Sequence, residues 1–85
     1  MSAKDQLFRV DLGFWKATRG ERDADLPRGE GRWRFLARVP KGALFGRPLL
    51  VETELPVFVG TYKAAKAEAR RAARRLGARS AVLLP

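Results

Sequence analysis

TYKAAKAEARRAARRL, residues 61–76, is the stretch whose apolar pattern, charge and end signals all agree on one element. At about 100° per residue, Tyr62, Ala65, Ala69, Ala72, Ala73 and Leu76 fall in a single apolar stripe, the mark of an amphipathic helix. Thr61 stands where an N-cap belongs, Gly77 where a helix closes, and Arg74 and Arg75 where the helix dipole favours cations. Beside the stripe, Lys63, Lys66, Arg70 and Arg74 recur at steps of three and four and form a basic ridge about 16 Å long. Arg71 and Arg75 carry the ridge around the back, and Glu68 is the one acid in the stretch.

The charge of the whole chain follows this helix. Residues 1–60 carry eleven basic and eight acidic side chains, whereas residues 61–85 carry seven basic and one acidic, so most of the net charge of +9 sits on the last third. Such a field attracts polyanions, and nucleic acid is the most abundant of these in a cell. An anionic lipid surface or an acidic protein satisfies the same field. Eighty-five residues suffice for one small domain with a thin core. The start, MSAKDQLFRV, lacks the apolar run of a signal peptide, and the longest apolar run elsewhere, AVLL at 81–84, is too short to span a bilayer, so a soluble cytoplasmic protein is expected. Arginine outnumbers lysine thirteen to five and asparagine is absent, a balance that suits a thermophile and also follows from codon bias.

Upstream of the helix the apolar residues alternate. In residues 7–16, Phe8, Val10, Leu12 and Phe14 share one face and Arg9, Asp11 and Trp15 the other, which predicts a half-buried strand. Residues 17–31, ATRGERDADLPRGEG, mix charge with glycine and proline without a period and predict a mobile loop. A second strand is expected at 32–39, with Trp33, Phe35, Ala37 and Val39 inward. Residues 40–47 are expected to turn the chain, with Leu44 and Phe45 apolar in the turn. A third strand at 49–55 runs into Pro56, which bends it or places it on an edge. After the helix, residues 78–84, with Ala78 and Leu84 at the ends, predict a short apolar strand. The expected fold class is α+β: a three- to four-stranded, mainly antiparallel sheet with one amphipathic helix on one face, in the order β-β-β-α-β. Through a right-handed crossover the last strand would lie parallel to the one before the helix, or its free edge would pair with a second copy through Ala78 to Leu84.

Catalytic chemistry finds little to work with. Histidine and cysteine are absent, which removes the commonest base, nucleophile and metal ligands. Glu52 and Glu54 put two carboxylates on one strand face, but no lysine or third carboxylate completes a magnesium site. Asp23 and Asp25 lack the further ligands of a calcium loop. A non-enzymatic protein without metal or cofactor is expected. Its candidate nucleic-acid contacts are Lys63, Lys66, Arg70, Arg71, Arg74 and Arg75 on the helix, and Arg32, Arg34 and Arg38, with Arg9 and Trp15, on the outer face of the sheet. Glu52 and Glu54 project from that same face and compete for its arginines by cross-strand pairing. The type of nucleic acid stays open, and an assembly module, homodimeric through residues 78–84 and the Leu44–Phe45 loop, is the alternative.

The segments GRWRFLARV (31–39) and VGTYKAAKAEARRAA (59–73), through Trp33, Gly60, Thr61, Tyr62 and the alanines, resemble the three-strand-plus-helix DNA-binding domains of plant AP2 proteins and phage integrase arms. That resemblance implies a sheet face, here Arg9, Arg32, Arg34 and Arg38, entering the major groove while the helix supports it. Pro56, the two glutamates and the strand after the helix depart from the pattern. Lys63, Ala65 and Lys66 are also similar to the start of the final helix in double-stranded-RNA-binding domains.

Overall fold

The computed structural model describes residues 8–85. The helix expected from the opening stretch is α2, Tyr62–Arg75, which will be reached last in chain order. Before it come β1 (Arg9–Asp11), α1 (Gly13–Arg19), a 3-10 turn (Asp23–Asp25), β2 (Glu30–Trp33), β3 (Phe35–Leu44), β4 (Arg47–Glu54) and β5 (Phe58–Thr61); β6 (Ser80–Leu83) follows it. Four strands form a mixed sheet in the order β1-β6-β3-β4, and β2 and β5 pair as a separate antiparallel ribbon. The fold is α+β, as expected, and α2 packs its alanines on one face of the sheet, but six strands in two sheets and a second helix, α1, replace the expected β-β-β-α-β order.

The ends of α2 are made by the residues foreseen for them. The Thr61 hydroxyl accepts from the Ala64 amide at 3.2 Å. At the other end the Gly77 amide donates to the Arg74 carbonyl and the Ala78 amide to that of Ala73, the paired bonds of a Schellman closure, with Gly77 at φ 79°. Ala65, Ala69 and Ala73 are buried. Small side chains let the axis come close to the sheet, where Phe35 and Leu83 fill the centre of the core. No helix among the described residues is long and apolar enough to cross a membrane.

Several expectations need correction. The strand expected over 7–16 is confined to Arg9–Asp11, Leu7 lying outside the described residues; the Asp11 carboxylate accepts from the Gly13 amide at 2.8 Å and the chain turns at once into α1. Helical winding exchanges the two aromatic neighbours: Trp15 is buried and Phe14 is 56% exposed. The segment expected as one loop, 17–31, instead carries the end of α1, the 3-10 turn and the start of β2, and is pinned by a 2.7 Å bond from Trp15 Nε1 to the Asp25 carbonyl. The strand expected over 32–39 is two, broken at Arg34, with Trp33 in the ribbon and Phe35 in the sheet. All four of its inward residues are nonetheless buried.

The last strand also lies elsewhere than expected. β6 runs parallel to β1 and antiparallel to β3, between the two. Both of its edges are taken, so residues 78–84 have no free edge for a second copy, and the expected parallel pairing with the strand before the helix does not occur. Residues 40–47 do turn the chain, as expected, but not as a loop. They extend β3 and β4 into a two-stranded ribbon whose turn is only Phe45 and Gly46, both at positive φ as in a type I′ hairpin.

Candidate functional site

The cations of α2 divide by their partners. Lys63, Lys66, Arg74 and Arg75 are exposed and Arg70 is half-buried. Arg71 is held by Glu68, its neighbour three residues back, so the one acid of the helix is occupied. Lys63, Lys66, Arg70 and Arg75 have no ion-pair partner among the described residues. Phe8 lies against the helix, and with Lys63, Lys66, Ala67 and Arg70 it lines an open groove of about 320 Å³. Lys63 stands in the first turn, where no acid offsets it and the helix dipole opposes it. Charge placed against that local cost, without a carboxylate to relieve it, is available to an external anion.

On the sheet the expected arginine face comes apart. Arg34 bonds Glu54 at 3.4 Å, the cross-strand competition foreseen for the glutamates. Arg38 lies opposite Glu52 in register, yet its guanidinium reaches across β6 to Asp11 at 2.7 Å. The Gly13 amide and then the Arg38 side chain hold the Asp11 carboxyl below its ordinary value. Arg32 sits on β2, in the other sheet. Arg9, Arg32, Arg34 and Arg38 therefore do not form one free basic face, because their partners and their sheet are set by long-range register.

The structure gathers a different set of cations. A cleft of about 550 Å³ is lined by Trp15 and Trp33 and by Arg19, Arg28, Arg32 and Arg34, with Asp25 and Glu30 among them. The indoles pack with centroids 5.8 Å apart, Arg19 lies 4.9 Å over Trp15, and Tyr62 packs against Trp33 at 5.0 Å with the rings tilted by 58°. Trp33 Nε1 donates to the Gly60 carbonyl at 2.9 Å. Both indoles are thus occupied on their faces and at their N–H groups, which leaves them unsuited to stacking on an unpaired base. Arg28 and Arg32 have no ion-pair partner among the described residues. The Gly29 carbonyl accepts from the Tyr62 amide at 2.8 Å, which ties this side of the cleft to the first turn of α2 beside Lys63. Sequence reading missed Arg19 and Arg28. A tryptophan placed on a strand hid the stacking of Arg19 four residues on, and a loop arginine carries no signal of its own.

The chain matches no protein-family model, no curated protein and no solved structure.

Proposed function

We propose that the protein binds nucleic acid non-enzymatically, through phosphate contacts made by α2, with Arg28 and Arg32 extending the contact beyond the start of the helix. The observation that carries this reading is the row Lys63, Lys66 and Arg70: cations on one helix, exposed or half-buried, without an ion-pair partner among the described residues while Glu68 is spent on Arg71. Steps of three and four residues space them about 5–6 Å apart, close to the separation of successive phosphates on one strand. The occupied faces of Trp15 and Trp33 favour backbone contact over base stacking, so sequence preference is expected to be weak.

A fluorescence titration of labelled duplex and single-stranded DNA and RNA over a range of salt tests this. With four or five phosphates engaged on duplex DNA, the logarithm of affinity falls against log salt with a slope of about −3.6 to −4.5. Lys66→Glu and Arg70→Glu each flatten that slope by about one unit. Arg34→Gln and Arg38→Gln, which remove a charge without reversing it, leave it nearly unchanged, because those guanidinium groups are already bonded to Glu54 and Asp11. Absence of binding at low salt rejects the reading, and loss through Arg34 and Arg38 alone moves the contact to the sheet.

A further inference from the structure

The β3–β4 ribbon is the part of the molecule that its own core does not explain. β4 is an edge strand of the four-stranded sheet. Every residue from 40 to 52 is exposed, and among them Leu44, Phe45, Leu49, Leu50 and Val51 are large and apolar. Phe45 is 95% exposed at the hairpin tip and holds φ at 53°, a conformation that asparagine or glycine adopts more cheaply. An exposed edge strand is a template for another strand, and β4 carries its guards, Arg47, Pro48, Glu52 and Glu54, only towards its two ends, with residues 49–51 between them wholly apolar.

Charge also selects the direction of pairing. Along β4, Arg47 stands at the tip end and Glu52 and Glu54 at the base. Glu52 has no ion-pair partner among the described residues, since Arg38 opposite it turns to Asp11. A parallel neighbour of the same sequence would set arginine beside arginine and glutamate beside glutamate. An antiparallel one centred on Leu50 brings the basic end of each strand level with the acidic end of the other, Arg47 opposite Thr53 between the two glutamates, though its side chain lies on the other face from theirs.

We propose that β4 pairs antiparallel with β4 of a second copy, about a two-fold axis at Leu50, to join two four-stranded sheets into one of eight. In this register Leu50 faces its own counterpart and Leu49 faces Val51 of the second copy. Phe45 comes level with Leu55 of the second copy and so next to Val57, itself exposed. One pairing thereby brings together Leu49, Leu50 and Val51 of the two edges, while Phe14, Val59 and Leu76 lie elsewhere on the surface. Antiparallel continuation keeps the faces of the sheet, so both α2 helices lie on the same side, and their two cationic rows form one surface. The pairing itself does not depend on nucleic acid and is tested without it.

The full chain contains no cysteine, which makes the register directly accessible. An antiparallel pair holds opposed Cα atoms about 4.5–5.5 Å apart, within disulfide range. Leu50→Cys is expected to form a covalent dimer on mild oxidation, while Phe14→Cys, equally exposed but off the edge, does not. In sedimentation the unmodified chain runs as a dimer at micromolar concentration, and Leu50→Lys raises the dissociation constant at least about tenfold with unchanged circular dichroism. A monomer at every concentration, a dimer indifferent to Leu50→Lys, or cross-linking no faster at position 50 than at 14 overturns the proposal. So does a monomer whose Leu50→Lys variant loses nucleic-acid binding or binding to anionic vesicles, since that assigns the ribbon to the polyanion or the lipid.

Discussion

Two single residues report on the fold through their protons. Tyr62 is the one tyrosine of the chain, half-buried against Trp33, and burial pushes its phenol above the ordinary value. A raised folded value means that its contribution to stability is complete below about pH 10 and is lost as pH rises through the folded value. A phenolate absorbance titration is expected to show its midpoint above that of the unfolded chain, and a midpoint at the unfolded value contradicts the packing. Asp11 has the opposite sign. Its folded value is depressed by the Gly13 amide and by Arg38, so its contribution is present above the ordinary carboxylate value and lost as pH falls through the depressed one. Asp11→Asn is expected to lower stability at neutral pH by a modest amount, since the pair is part-exposed, and to shrink the difference between neutral and acidic denaturant melts. Tyr62 was legible as an inward residue of the helix stripe, whereas the role of Asp11 was not legible in sequence. Asp11 reads as an outward strand position until its bond to the Gly13 amide ends the strand, and its partner Arg38 lies 27 residues away.

At the scale of the element, α2 was legible except at Leu76, which the stripe placed inward and which lies past the helix end, 43% exposed; the other signals are local, since the stripe, the Thr61 cap, the Gly77 closure and the charge all lie within a few residues of what they act on. Its close approach to the sheet depends on Ala69, which has no exposed surface. Ala69→Leu adds bulk where no space exists and is expected to destabilise by about 1–3 kcal/mol, measured as a lower denaturant midpoint at constant slope. Ala64→Leu, on the exposed side, is expected to be nearly neutral. The strands were legible in their inward residues and not in their limits. Alternation over Phe8, Val10 and Leu12 is compatible with continuing to Phe14, and only winding into α1 turns Trp15 inward instead. Trp33 and Phe35 keep their alternation across the break at Arg34, because period two records which side faces the core and carries no information about which sheet a strand joins.

For the whole molecule, what escaped the sequence is order in space. Four apolar residues near the end of the chain, AVLL, predict a strand anywhere in a sheet; only packing places β6 at the centre, between the first strand and the third. That position has a consequence for the distribution of stability. β6 buries Ala81, Val82 and Leu83 and is bonded on both sides, whereas the ribbon from 40 to 50 is exposed and lies outside the core. Opening β6 separates β1 from β3 and is equivalent to unfolding the sheet, while the ribbon can open with the core intact. Amide exchange followed by mass spectrometry or NMR is expected to be slowest in β6 and in the buried half of β3, at the rate of global unfolding. Amides of 41–50 exchange fast in a monomeric Leu50→Lys variant and are protected in the unmodified chain as concentration rises, since pairing at the β4 edge closes them. Rapid exchange in β6 would mean that the centre of the sheet is not where the cooperativity of this fold resides.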